Sequence, residues 1–254
     1  MNKATEKILK GTLACTMAFG MTACASGSGD TASSGNTVII GISPDYPPYD
    51  DLTTDGELTG FDYEMGEWLF TWMNENGYDY DHEWKQLSFD TIITSIQADQ
   101  VDLGISGFTY DSERKVLFSE AYLSSAEVAL VAADSDMTST DDLTGKKIGA
   151  QLGTTGETCA NEVEGADVTA ASDMGVIIQS LKSGAVDAVI CDEPVADNYA
   201  AAGGYKILDG KLLEETNHII AKEGNTELME AVNAALAAFK ESEDYTAMKE
   251  KYGL

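Results

Sequence analysis

The only arginine in this 254-residue chain is Arg114. A guanidinium presents a planar fork of donors that grips a carboxylate through two parallel hydrogen bonds, which lysine cannot reproduce. The plainer alternative is a local ion pair with Asp111 or Glu113, worth little on a surface. In a chain this acidic, ligand binding is the favoured reading. Asp192 closes an apolar run at 186–191 and could receive an ammonium group, or else cap a helix before Pro194. Gly153-Thr154-Thr155-Gly156 follows another apolar run and opens a helical stretch. Free amides and hydroxyls at such a helix start suit an anion, although most such turns are only caps. Tyr46-Pro47-Pro48-Tyr49 and Phe89 add aromatic rings near the same strand ends. A carboxylate holder and an ammonium holder, with aromatic walls, are the chemistry of non-covalent capture.

Catalytic patterns are scarce. The chain has no G-x-S-x-G elbow, P-loop, H-E-x-x-H or C-x-x-C. Its two histidines, His82 and His218, make a His-based triad improbable, and residues 51–57 lack calcium-loop spacing. No metal site and no cofactor are expected. With 44 Asp+Glu against 15 Lys+Arg, the formal net charge is −29, which argues against phosphate neutralisation and hence nucleic-acid binding.

These residues need a scaffold, and the pattern supplies one. Short apolar runs at 38–42, 101–105, 128–132, 148–150, 186–191 and 219–220 read as strands buried on both faces, the mark of parallel sheets. Amphipathic stripes lie between them. Phe61, Met65, Trp68, Leu69 and Trp72 share one face; Met174, Ile177, Ile178 and Leu181 another; Leu228, Val232, Leu236 and Phe239 a third. Residues 78–85 alternate aromatic with charged side chains, as a strand with one solvated face does, so His82 reads as structural. The end-of-helix, turn and buried-strand pattern around Val101-Asp102 returns around Val186-Asp187. Two α/β lobes of similar plan follow, and in such sheets ligands bind beyond the carboxyl ends of strands.

The first residues read as an address. Lys3, Lys7 and Lys10 precede an apolar stretch at 13–21, followed by Met21-Thr22-Ala23-Cys24. Residues 1–23 are expected to be a lipoprotein signal peptide, with Cys24 the lipidated first residue of the mature chain. Residues 24–36, rich in Gly, Ser and Thr, are expected to be a flexible tether. Such a chain works outside the cytoplasm, held to the bacterial membrane by lipid. That compartment permits a disulfide between Cys159 and Cys191, with two buried thiols an equal alternative.

Gly41-Ile42-Ser43-Pro44-Asp45-Tyr46-Pro47-Pro48-Tyr49, Leu58-Thr59-Gly60-Phe61-Asp62, Phe89-Asp90-Thr91-Ile92-Ile93 and Ser106-Gly107-Phe108-Thr109 occur in that order along the chain. Glu113-Arg114-Lys115, Asp142-Leu143-Thr144-Gly145-Lys146-Lys147, Gly153-Thr154-Thr155 and Val186-Asp187-Ala188 with Asp192 follow. Each is weak alone, but their order and spacing are specific. Through them the chain resembles, over nearly all of residues 37–254, the family 3 extracellular solute-binding proteins, the amino-acid receptors of ABC importers.

The resemblance implies an α/β, two-lobed periplasmic-binding-protein fold of type II. Each lobe would be a mixed, mainly parallel sheet flanked by helices, and two hinge strands would join them. Residues 37–127 and 219–254 would form lobe 1, and residues 128–218 lobe 2. It implies that Arg114 grips an α-carboxylate with Thr109, Thr154 and Thr155. The α-ammonium would go to Asp192, to the Ser106 or Gly107 carbonyl, and to the Thr109 hydroxyl. Tyr46 and Phe89 would sandwich the ligand's side chain. Receptors for basic amino acids often carry Asp where this chain has Ser43; Glu127 could restore a negative contact or be a solvated strand residue, and Gln151 could bond a polar side chain. The expected ligand is therefore a polar uncharged L-amino acid first and a basic one next. The expected partner is an ABC permease, and the expected state a monomer without enzyme activity. A dehydratase of cyclohexadienyl acids on the same fold, or a ligand-sensing module for a membrane partner, is the alternative.

Overall fold

Strands form where the apolar runs are continuous, and helices where apolar residues recur on one face. The computed structural model describes residues 36–254; the expected signal peptide, Cys24 and all of the expected tether except Asn36 lie outside the described residues. In chain order come β1 (Thr37–Ile42), β2 (Asp51–Leu52), β3 (Leu58–Thr59), α1 (Phe61–Glu75), β4 (Asp81–Gln86) and α2 (Phe89–Gln97). Then follow β5 (Leu103–Thr109), β6 (Leu117–Phe118), β7 (Leu123–Ala132), a 3-10 turn (Thr140–Leu143), β8 (Lys147–Gln151), α3 (Thr155–Glu162) and β9 (Asp167–Ala171). The last are α4 (Met174–Ser183), β10 (Ala188–Asp192), α5 (Glu193–Ala202), β11 (Tyr205–Ile207), β12 (Leu213–Ala221), α6 (Thr226–Glu241) and α7 (Glu243–Tyr252). No helix among the described residues is long and apolar enough to cross a membrane.

The main sheet runs β4-β1-β5-β12-β7-β10-β8-β9. At one side β4, β1 and β5 are mutually parallel; at the other β10, β8 and β9 are. Between these triplets lie β12 and β7, antiparallel to each other and to the strands they flank. The fold is thus two α/β lobes of like plan joined by two long strands. Those strands are longer than their apolar runs suggest, because each begins polar: Leu123-Ser124-Ser125 in β7 and Leu213-Glu214-Glu215-Thr216-Asn217 in β12.

α1 packs on α6 through an aromatic nest in which Phe61 meets Tyr122 at 6.1 Å, Phe239 at 6.4 Å and Tyr245 at 6.5 Å between ring centres. The turn into α1 is set by Gly60, whose φ of 120° excludes most side chains. A Cβ there would also lie 2.2 Å from the Tyr49 carbonyl oxygen. That turn puts Asp62 in the interior, where its Oδ2 accepts hydrogen bonds from the Gly107 amide at 2.6 Å and the Tyr122 hydroxyl at 2.8 Å.

The two cysteines are free and buried. Side chains alternate along β10, so Cys191 joins the cluster that contains Val189, whereas Cys159 of α3 packs with Ala188 and Ile190 on the other face. Strand alternation therefore points the thiols apart, and the bridge that the compartment would permit does not form. Burial pushes the Cys159 thiol up to about 12, which leaves it unreactive in the native state.

Gly60→Ala is expected to cost at least about 1–3 kcal/mol, read as a lower urea midpoint. Alkylation of the denatured protein without reductant should label both Cys159 and Cys191; a Cys159–Cys191 cross-linked peptide would contradict the fold.

Candidate functional site

The carboxyl ends of β5 and β10 face one another across the joining strands, and a narrow cavity opens between them. Its walls are Tyr46, Phe89, Ser106, Gly107, Thr109, Arg114, Gln151, Thr154, Thr155 and Asp192, which close on one another to leave an internal volume of about 10 Å³. Every ligand-contact residue expected from the sequence lines this cavity except Ser43. Ser43 instead faces a neighbouring groove with Asp45; its hydroxyl donates to Asp45 Oδ1 at 2.8 Å and its amide to Ser106 Oγ at 3.1 Å.

Arg114 arrives from the segment after β5. Its Nη1 donates to the Thr109 carbonyl at 3.0 Å and its Nη2 to the Gly153 carbonyl at 3.0 Å, so it touches both lobes. The guanidinium also lies 5.9 Å from the centre of Phe89 and 5.7 Å from that of Phe108, two rings stacked at 4.6 Å. It forms no ion pair with Asp111 or Glu113, so the local-pair alternative fails. Two backbone carbonyls occupy only part of a five-donor fork, and donors remain for a carboxylate.

Asp192 sits at the start of α5 but makes no side-chain cap bond. Its Oδ1 accepts from the Tyr46 hydroxyl at 2.9 Å and its Oδ2 from Ser125 at 3.3 Å, while its amide donates back to the Tyr46 oxygen at 3.1 Å. Tyr46 is therefore a bridge between lobes as well as a wall; its ring stacks on Tyr49 at 6.3 Å. The Gly-Thr-Thr-Gly turn divides its tasks. Thr154 caps α3, accepting from the Glu157 amide at 3.2 Å and donating to the Gln151 carbonyl at 2.8 Å. Thr155 turns inward, its hydroxyl 2.7 Å from Glu127 and 3.0 Å from Glu215. Gln151 spends its amide hydrogens on Asp45 at 2.9 Å and the Ser172 carbonyl at 3.2 Å.

Three acids that the sequence reading did not assign complete the site, together with Glu127. Asp50 accepts from Ser106 Oγ at 2.6 Å and, with Asp62, fixes the end of β5. Asp45 takes the Met174 amide at 3.0 Å as well as Gln151, tying the loop after β1 to the start of α4. Glu215 accepts from Thr109 Oγ1 at 2.7 Å. Glu127 was left open as a ligand contact or a solvated residue; it is fully buried. Its placement follows from register, since Asp192 pairs with Glu127 across β10 and β7, and Ser125 with Glu215 across β7 and β12. Oxygens of Glu127, Asp192 and Glu215 consequently lie within 4.8 Å of one another. No signal in a single acidic chain separates these acids from surface ones; only the polar starts of β7 and β12 hint at them.

Burial raises all three carboxyls above the usual range. Glu215 is pushed up to about 8 by burial and then by Asp192; Glu127 stands well above its ordinary value for the same causes in the same order. Asp62 is lifted to about 7, again by burial first. Burial lowers Arg114.

Several known proteins are similar to this chain. The family described as bacterial extracellular solute-binding proteins, family 3, matches residues 38–254. The arginine-binding extracellular protein ArtP of Bacillus subtilis (strain 168) is 31% identical over 94% of this chain and 95% of its own length. The L-cystine-binding protein TcyJ of Escherichia coli (strain K12) is 30% identical over 85% and 82%. Among solved structures, an ancestral arginine-binding protein bound to arginine superposes with a TM-score of 0.78 at 33% identity, covering 85% of this chain and 98% of that one.

Acids with folded values above their unfolded ones bind protons on folding, so stability falls as pH rises between the two values. The ligand-free protein should therefore melt at progressively lower temperature from about pH 5 to pH 8. Glu215→Gln should raise the melting temperature at pH 8 and flatten that slope; an unchanged slope would contradict the buried-acid account.

Proposed function

Because the chain belongs to the bacterial extracellular solute-binding proteins of family 3, and is thus a binding protein rather than an enzyme, we propose that it captures an L-amino acid and delivers it to the permease of an ABC importer. The observation that carries this reading is the pairing of Arg114 with Asp192 on one cavity, from opposite lobes. A zwitterion satisfies both at once: its carboxylate meets the spare donors of Arg114, and its ammonium meets Asp192. A ligand lacking either group engages one lobe only, so closure selects for the pair.

The remaining roles follow the same frame. Thr109 and Thr155 supply hydroxyls beside Arg114, the Ser106 and Gly107 backbone faces the ammonium, and Tyr46 and Phe89 flank the side chain. Lobe 1 comprises residues 37–127 and 219–254, and lobe 2 residues 128–218, with the crossings in β7 and β12. The chain acts as a monomer, and Cys24 carries the lipid that keeps it at the membrane. Among side chains, the sequence puts polar uncharged ahead of basic, an order resting on Ser43 and Gln151. Ser43 stands outside the cavity and the amide hydrogens of Gln151 are committed, so the geometry gives that order no support.

Thermal unfolding of the purified protein with each amino acid in turn tests the proposal. A ligand at a hundred times its dissociation constant adds about 2.7 kcal/mol of stability, visible as a shift of several degrees. Arg114→Ala should abolish the shift and Arg114→Lys should leave only a remnant of it. If no amino acid moves the transition, the proposal is wrong.

A further inference from the structure

The cavity is backed by more carboxyl groups than the ammonium of an amino acid's own zwitterion can answer. Glu127, Asp192 and Glu215 bring three carboxyl groups together, all of them buried. Glu127 Oε2 and Glu215 Oε1 have no hydrogen-bond partner, although Glu127 is fully buried and Glu215 is 8% exposed. Acid oxygens left bare in the interior are costly, and they persist where a ligand completes them. The hydroxyls that reach the two glutamates, Thr109 and Thr155, also line the ligand cavity, so the glutamates stand immediately behind its wall.

Arg114, the cation on the cavity wall, is held by the Thr109 and Gly153 carbonyls and is matched by the ligand's carboxylate in the proposed binding mode. An α-ammonium answers one carboxyl of the trio. Two remain, and with a neutral side chain both must keep their protons. A cationic side chain answers one of these, and a proton retained between neighbouring carboxyls settles the last. The chemistry of the donors fits too, since ammonium and guanidinium groups are donor-only and the bare oxygens are acceptor-only.

We propose that Glu127 and Glu215, from the two joining strands, form with Asp192 a seat for two positive charges, and that the ligand is an amino acid with a cationic side chain. This rests on the amino-acid reading above and deepens it. It reverses the order that Ser43 suggested: the missing acid near Ser43 is replaced by two acids reached from β7 and β12. Because each glutamate sits on a strand that crosses between the lobes, the ligand's charge is felt at the joint itself.

Calorimetric titration of the purified protein with L-arginine and L-lysine, against L-citrulline and L-glutamine, tests the seat. Citrulline keeps the shape of arginine and loses the charge. The cationic ligands should bind about 10- to 100-fold tighter than their neutral counterparts. Glu127→Gln and Glu215→Gln keep the side-chain volume, and each should shrink that ratio. Equal binding of arginine and citrulline, or an unchanged ratio in both variants, overturns the seat and leaves the amino-acid reading standing. Absence of binding by every amino acid, neutral or charged, overturns both. Calcium, magnesium and zinc chlorides are titrated alone as a control. Saturable binding of one of these ions that disappears in both variants and excludes arginine assigns the trio to a metal and also overturns the proposal.

Discussion

The pairing of β7 with β12 is the constraint on which the rest of the molecule depends. Among the described residues these two antiparallel strands join the parallel triplets of the main sheet. Register then does the chemistry. With Ser125 opposite Glu215 and Glu127 opposite Asp192, side chains from three strands meet under one opening. Shift either pairing by one residue and the acids move to the other face of the sheet. The same backbone hydrogen bonds that hold the lobes together therefore also fix the polarity of the site.

Around that joint, the acids act as struts more than as surface charges. Asp50 and Asp62 hold Ser106 and Gly107 at the end of β5, and Asp62 also receives Tyr122 from the start of β7. Asn217 of β12 donates to the Gly107 carbonyl at 3.2 Å and accepts from Tyr49 at 3.3 Å. A buried carboxylate stripped of water is stabilised by the amides and hydroxyls aimed at it, and it fixes their positions in return. The cost appears as raised proton affinities throughout the interior.

Much of this arrangement was legible in the residues. Two-face-buried strands such as β1 and β10 show as apolar runs, and α1, α4 and α6 as stripes, because burial on both faces or on one face leaves a periodic trace. A lone arginine and an aspartate at a strand end stood out because few roles need those types there. What stayed hidden is non-local. Glu215 and Glu127 lie in an excess of acids, and nothing local distinguishes a carboxylate that register will bury from one that water will cover. For Cys159 and Cys191, compartment and count left a bridge and two buried thiols equally open, and strand alternation decides for the thiols. Gln151 and Ser43, both expected to touch the ligand, meet instead through a shared partner that no local pattern announces: each gives a hydrogen to Asp45, although Gln151 still lines the cavity.

Asp45 links the loop after β1 to Gln151 and to the first amide of α4 through atoms of the protein alone. A clasp of this kind is closed whichever molecule is inside, and it must open before anything departs. The waiting time for departure then belongs in part to the clasp and not to the cargo.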